Sequence, residues 1–552
     1  MSNEVAILDA QGKPLQPSRV MALAGGGNTP HDAADISGSH TAEWNPYLWS
    51  PDAALNIYRD RIVSRIRDLV RNDGWASGVV TRVLDNAVGA SFRPISKPDY
   101  RALAALTGNK AFDATWAAEY GREVDSRYRL WAEDEGRYCD AMRKQTVSQM
   151  LRLGFRHKIV DGDALAQLVW LPNRRGYGRA RYATAVQVID PDRLSNPQMR
   201  YDMVNMRGGV EIDELGAPVA YHIRQAHQSD WFNAAKAVTW KRIPRETNWG
   251  RPIIVHDYDF EQANQHRGMG ILGPVVYRLK ALIKYDGAEL DAAILNAIFA
   301  AYIESPHDPA LVEAAIAGED ELPAYQQQRA EFHKEKRLTM NGARMPILYP
   351  GEKINTVTAA RPASNFADFE GAVLRNVASA TGLSEHQVSN DWSKGNYSSD
   401  RGAMLEAWKT MDRRRLDFAV GFAGPIRSAW LEECHEVDKL PMPSGVVPNY
   451  PEARAAFGRA RWLGPGRGWI DPVAEREGAV LGMEAALSTL EDEAAEQDRD
   501  WEENLDQRKV ELDAFKERGL EPPASWLAQR DPNGRPLGGS GQPSQGNKKA
   551  QS

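Results

Sequence analysis

The stretch from Arg267 to Ile303, RGMGILGPVVYRLKALIKYDGAELDAAILNAIFAAYI, constrains this chain more than any other. Its apolar residues recur at helical spacing: Leu272, Val275, Leu279, Leu282, Leu290, Ile294, Ile298 and Tyr302. Three- and four-residue steps place them on one stripe, with charge on the other faces. Pro274 suits a first helical turn, where its missing N–H costs nothing. A continuous helix here would be roughly 50 Å long, and Gly287 predicts a kink near Tyr285–Ala288. Small residues, Ala288, Ala292, Ala293, Ala297, Ala300 and Ala301, would let neighbouring helices approach closely. Two readings stay open on this stretch alone: the core helix of an ordinary domain, or a helix that joins several subunits.

What the chain can do with such a helix is bounded by its charge. With 68 basic and 75 acidic residues in 552, the net charge is −7, which argues against tight gripping of DNA phosphates. Two cysteines, Cys139 and Cys434, give no disulfide framework and no thiolate metal site, and point to a reducing compartment. The start, MSNEVAILDAQGKPLQ, lacks the pattern of a signal peptide. The run Leu290–Ile303 is too short to span a bilayer and carries Asp291 and Asn296, so no membrane association is expected.

Residues 1–42 read as a flexible arm. An α+β block follows over 43–260. Its first helix, Ala53–Asn72, carries Leu55, Tyr58, Ile62, Ile66 and Leu69 on one face. Arg59, Arg61, Arg65, Arg67 and Arg71 lie on the other, read as a solvated or intersubunit-pairing face. Helices are expected at Trp75–Ala87, Ala111–Asp134 and Asp140–Lys158. From Lys158 the period shortens: Tyr182–Ile189 alternates like a strand, and Gly209–Ile212 with Val219–Ile223 forms a hairpin around Asp213-Glu214-Leu215-Gly216. Past the long helix, Asn365–Thr381 is helical and ends at Gly382. A further helical pattern runs from Ser399 to Cys434, broken near Gly424-Pro425. Glu484–Asn504 is strongly acidic and continues as helix to about Lys516. The tail 519–552, rich in Gly, Pro, Ser and Gln, is read as disordered.

Gly268-Met269-Gly270-Ile271-Leu272-Gly273 matches the dinucleotide-binding GxGxxG and opens a helix. The strand before it ends near His256, too early, and Asp286, Glu289 and Asp291 fall inside the helix rather than after a second strand. The glycines are therefore read as letting the chain turn into the helix. A nucleotide-dependent enzyme using residues 268–273 is the alternative reading. Asp161/Asp163 and Asp190/Asp192 stand in Asp-Gly and Asp-Pro contexts and read as turn chemistry. His222, His227 and His256 read as structural. No catalytic, cofactor-binding or metal-binding residue is assigned.

Several blocks together resemble the lambda-type family of tailed-bacteriophage portal proteins. They are Asn72-Asp73-Gly74-Trp75-Ala76, Asp85-Asn86-Ala87-Val88-Gly89, Asp161-Gly162-Asp163-Ala164, the run Ile189–Pro197, Tyr221-His222-Ile223, Arg267-Gly268 and Tyr285–Leu290. Pro350-Gly351-Glu352, Ser364-Asn365-Phe366 and Asn396-Tyr397-Ser398-Ser399-Asp400-Arg401, with Glu406 and Trp408, complete the series. They run in family order from about 43 to 480. The departures are the termini and Gly268–Ile271, where Arg-Gly-x-Ser is the expected form.

The resemblance implies a predominantly helical, ring-forming α+β portal fold with an α/β wing, a helical stem, a clip and a helical crown. By it, 43–260 is wing, 261–303 first stem helix, 304–348 clip, 349–382 second stem helix region, 383–399 channel loop, and 400–518 helical wing and crown. It implies a dodecameric homo-oligomer at one capsid vertex of the virion, assembled in the host cytoplasm. Double-stranded DNA would pass through its channel. Partners would be the large terminase subunit, the major capsid and scaffold proteins and a head-tail connector. Lys394, Asn396 and Tyr397 are the DNA-channel candidates, and Arg413-Arg414-Arg415 is a weaker one, read first as intersubunit ion pairing.

Overall fold

The strongest helical stripes of the sequence become the core. In the computed structural model, residues 32–34, 40–41, 43–299, 331, 337–340, 343–346, 366–393, 395–468 and 471–523 are described. Most of the expected arm, clip and tail, the start of the second stem region and Lys394 lie outside them. The chain divides into two units, 1–54 and 55–552. In the first, Trp44, Tyr47 and Trp49 are exposed, with Tyr47 and Trp49 meeting edge-on at 6.2 Å.

Among the described residues of the second unit, the α-helices of six residues or more are α1 (Arg59–Asn72), α2 (Gly74–Ala87), α3 (Tyr100–Thr107), α4 (Ala114–Ala132), α5 (Val147–Asp161), α6 (Val276–Phe299), α7 (Phe366–Thr381), α8 (Tyr397–Phe418), α9 (Gly424–Val437), α10 (Pro472–Glu484), α11 (Leu490–Ala495) and α12 (Trp501–Glu517). Local chemistry fixes their ends. Asp73 accepts from the Ala76 amide to start α2, and a Thr146–Gln149 capping box starts α5. That cap explains why α5 begins at Val147 and not at Asp140: residues 140–146 form a turn held by the Asp140 carboxylate, which accepts from the amides of Met142, Lys144 and Gln145. Likewise α1 starts at Arg59, after a turn closed by the Tyr58 amide on the Leu55 carbonyl.

The strands are β1 (Arg93–Ser96), β2 (Asp163–Trp170), β3 (Thr184–Val188), β4 (Met206–Arg207), β5 (Val210–Ile212), β6 (Pro218–Arg224), β7 (Trp240–Pro244), β8 (Ile254–Tyr258), β9 (Arg337–Met340), β10 (Ala343–Pro346) and β11 (Ala460–Leu463). All pair antiparallel, as β3-β2-β8, β4-β5-β6-β7, β9-β10 and β1-β11. The β5–β6 hairpin turns at Asp213 as its sequence requires. In β1-β11, Arg93 pairs with Leu463, tying the first helices to the far end of the chain. The architecture is α+β.

One large apolar cluster joins α2, α4, α5, the start of α6, α7, α8 and α9; a smaller one lies around Leu165, Val210, Tyr221, Ile223 and Ile254. The long stripe divides between two environments. Leu272, Val275, Leu279 and Leu282 are buried, while Leu290 is 63% and Ile294 48% exposed. α6 runs as continuous α-helix through Gly287, where the sequence predicts a kink. Nor does Gly424-Pro425 break the next long helix: a π turn at Ala419–Ala423 absorbs the irregularity between α8 and α9. Cys139 and Cys434 are free and buried, with thiols pushed up to about 12 by burial.

Within the large cluster, Trp116, Tyr120, His435, Tyr450 and Phe457 form an aromatic knot in which the Tyr120 hydroxyl meets His435 Nε2 at 2.7 Å. Burial lowers the His435 pKa to about 4, against about 6.5 in the unfolded chain. Between those values the unfolded chain takes up a proton that the folded one refuses. Stability from this site is therefore intact above about pH 6.5 and fades as pH falls through 4, by up to about 3 kcal/mol. Urea melts of wild type and His435→Gln across that window should differ in slope, the variant being flatter. Parallel slopes would mean that His435 is not the titrating group.

Candidate functional site: a buried ionic hub at the base of the long helix

Two Asp-x-Asp turns, two arginines of α1 and the arginine before the GxGxxG stretch converge on one point. Asp163 opens β2 and is fully buried. One of its oxygens accepts from Arg59 Nη2 and Arg267 Nε, both at 2.8 Å. The other accepts from the Gly268 amide at 2.7 Å and His256 Nε2 at 3.2 Å. Arg67 Nε reaches Asp161 at 2.7 Å, and its two Nη groups reach Asp192 at 2.7 Å and Asp190 at 2.9 Å. His157 Nδ1 closes on the other Asp161 oxygen at 2.6 Å. Arg267, 2% exposed, spends its remaining donors on carbonyls: Nη1 on Leu194 (2.7 Å) and Gly208 (2.6 Å), Nη2 on Pro191 (3.1 Å).

Burial alone would raise the Asp163 carboxyl, but Arg267, Arg59 and His256 outweigh it and hold it far below the usual carboxylate range. Burial likewise lowers His256, so a neutral ring donates from Nε2. Asp161 is held low by His157 and Arg67 against the same burial penalty. A buried carboxylate so surrounded is a structural peg. It locks α1, the end of α5, the start of β2, the 190–196 turn and the entry to α6 into one body.

These contacts correct two sequence expectations. Arg59 and Arg67 belong to the hub, not to a solvated face. The Asp pairs are ionic ligands as well as turn residues: Asp190 does accept from the Asp192 amide at 3.0 Å, but its main partner is Arg67. Among the described residues Asp190, Asp192 and His227 come close enough to share a cation. The Arg67 guanidinium already sits on both carboxylates.

The GxGxxG glycines have a visible reason. A Cβ on Gly268 would lie 2.0 Å from the Gly162 carbonyl oxygen, and one on Gly270 would lie 2.1 Å from that of Val160. The amides of Gly268 and Ile271 are used by Asp163 and the Ile159 carbonyl. The chain of residues 159–163 thus fills the face where a pyrophosphate would lie.

Of the channel candidates, Asn396 is the N-cap of α8, its side chain accepting from the Ser399 amide at 2.9 Å, and Tyr397 is the first residue of that helix. The helix thus begins two residues before the expected Ser399, and Tyr397 lies in it rather than in the expected loop. Arg413 pairs with Asp417 within α8 (3.1 Å). Arg414 is buried and donates to the Thr381 carbonyl (2.8 Å). Arg415 lies over the Trp408 ring and donates to the carbonyls of Ala87, Asn86 and Pro465. Arg414 and Arg415 are thus internal clamps, correcting the expectation of intersubunit pairing.

Residues 37–415, which take in the hub, α6, α7 and most of α8, match the model of the phage portal protein, lambda family. The chain belongs to that family. The portal protein of Escherichia phage N15 is 32% identical over 504 residues, covering 90% of this chain and 92% of the relative. Portal protein B of Escherichia phage lambda is 31% identical over the same length, with the same shares. A solved structure, the neck of a native gene transfer agent (GTA) particle, aligns at 13% identity over 73% of this chain and 93% of that one, with a TM-score of 0.27. Portal proteins of this family are structural proteins of phage particles rather than enzymes. No helix among the described residues is long and apolar enough to cross a membrane.

Proposed function

We propose that this portal-family chain is the subunit of a dodecameric ring at one capsid vertex, through which double-stranded DNA is packaged and later ejected. The match across the wing, the long helix and the helices that follow carries this reading. In it 43–260 is wing, 261–303 the first stem helix, 304–348 the clip, 349–382 the second stem region, 383–399 the channel loop and 400–518 wing and crown. α6 and α7 form the paired stem, meeting where Tyr285 packs on Phe366 (5.4 Å) and Phe369 (5.2 Å). The exposed Leu290 and Ile294 face a neighbouring subunit, and the hub transmits load between wing and stem. Lys394, Asn396 and Tyr397 line the channel. A terminase docks during packaging and a connector afterwards, with capsid and scaffold proteins around the ring.

Native mass and negative-stain images of the purified chain test this. Rings with a central hole and a mass about twelve times 61.4 kDa are expected. A compact monomer or dimer that binds nucleotide would overturn the reading.

A further inference from the structure

Residues 471–523 carry 17 acidic and 6 basic side chains, a net −11; set against −7 for the whole chain, the remainder stands at −7 − (−11) = +4. The helices of this segment, α10, α11 and α12, contain no buried residue, and none of their side chains joins either apolar cluster. Ion pairs are the main contacts of α11 and α12 with the body. Glu503 takes Arg129 at 2.6 Å and Arg93 at 3.2 Å. Glu491 takes Lys97 at 3.0 Å, Arg461 reaches Asp492 at 2.8 Å, and Arg122 faces Glu502 at 3.7 Å. In each of these pairs the acid lies on the segment and the base on the body of the chain.

The contact is loosely packed. Between α12 and the body lies a cleft of about 1090 Å³, with Lys97, Arg101, Arg122, Arg129 and Arg459 together with Asp99 and Asp125 on one side and Asp500, Glu502, Glu503 and Asp506 on the other. Exposed ion pairs are individually weak and are screened over about 8 Å at physiological salt. A segment held mainly by them, with the Ser91 hydroxyl on Asp498 and the Arg467 amide on the Glu496 carbonyl (both 3.2 Å) as further hydrogen bonds to the body, is open to displacement. What its removal uncovers is a cationic strip: Arg93 and Lys97 in and just after β1, Arg461 on the paired β11, and Arg122 and Arg129 seven residues apart on α4, about 10 Å along one face.

We propose that residues 471–523 are a removable acidic cover, and that the strip of Arg93, Lys97, Arg122, Arg129 and Arg461 binds the phosphate backbone of duplex DNA when the cover is displaced. The segment seated on the strip is itself a polyanion, so the strip selects negative charge without base contacts. The choice of duplex DNA rests on the portal reading; the cover does not. Covered, the outside of the wing would not compete with the channel for DNA.

The test uses the full-length chain and the neutralising variant Glu491→Gln/Asp492→Asn/Glu502→Gln/Glu503→Gln. Amide exchange over 490–517 should rise in the variant. Its affinity for a short random duplex should exceed wild type by at least about tenfold at about 50 mM salt and return toward it near 200 mM. Adding Arg122→Gln/Arg129→Gln should remove most of the gain and cut the slope of log K against log salt by about 2. Released helices with no gain in DNA binding would overturn the proposal, as would a gain that survives loss of the two arginines. A shift to larger assemblies without DNA binding would also overturn it, making the acidic segment of a second copy the occupant. Whether the wild type forms rings is scored separately in micrographs, so failure of the portal reading is told apart from failure of the cover.

Discussion

Asp163→Asn should lower the stability of the second unit by about 3–5 kcal/mol, the usual cost of removing one partner from a buried ion cluster. The carboxylate faces two buried guanidiniums and a backbone amide at 2.7–2.8 Å. An amide of the same size leaves both Arg59 and Arg267 without a counter-charge and turns an NH2 group toward donors. Since domains are stable by only about 5–15 kcal/mol, the variant should melt at much lower urea concentration or fail to accumulate. Arg267→Lys should also be costly, because an ammonium cannot reach Asp163 and the carbonyls of Leu194, Gly208 and Pro191 together. Replacing Arg59, Asp163 and Arg267 jointly by apolar residues should recover much of the loss. If Asp163→Asn melts within about 1 kcal/mol of wild type, the hub is not what joins α1 and β2 to α6. The pH dependence separates the Asp163 carboxyl from the buried histidines. A carboxyl held far below its ordinary range contributes fully above about pH 4 and loses its contribution only as pH falls toward its folded value. Loss of stability as pH falls below about 6.5 therefore belongs to the buried histidines, His435 and the hub's own His256, and not to the Asp163 carboxyl.

The hub was hidden from sequence because its members are far apart: Arg59 and Asp163, and Asp163 and Arg267, are each 104 residues distant. Asp-Gly and Asp-Pro do make the turns their chemistry predicts, and that local sufficiency concealed a second role. One signal was present. Asp163 opens the apolar strand DALAQLVW, and a carboxylate heading a buried strand needs a cation. The helices were legible because their stripes are long; their exact starts were not, as the caps at Asp73 and Thr146 show. The stripe of α6 shows the limit. Periodicity says that Leu279 and Leu290 share a face; it cannot say that the first is covered by its own chain and the second is exposed. Asn396 was read as part of a channel loop with the helix starting at Ser399; the structure makes it the N-cap of α8, and its place in the channel stays a proposal. Arg414 and Arg415 looked like surface charge because a triplet of arginines usually is; their carbonyl partners lie 33 to 329 residues away.

Gly270→Val should unfold the chain rather than abolish a ligand site. A Cβ there falls 2.1 Å from the Val160 carbonyl oxygen and 2.8 Å from its carbon, closer than real Cβ atoms come to backbone. The carbonyl cannot retreat without opening the end of α5, whose Ile159 carbonyl already accepts from the Ile271 amide at 2.9 Å. A loss above about 4 kcal/mol is expected, with no soluble chain at the upper end. Gly287 supplies the contrast within one helix. It has nothing within 4 Å of a built Cβ, so Gly287→Ala should raise stability by about 0.5–1 kcal/mol through helix propensity. Thermal melts of wild type with and without dinucleotide complete the comparison. In a phosphate-binding loop, glycines leave room for a pyrophosphate, and the ligand shifts the melt; here the backbone of residues 160–162 fills that room, and no shift is expected. A dinucleotide-dependent shift in wild type, lost in a folded Gly270→Ala, would restore the enzyme reading of 268–273.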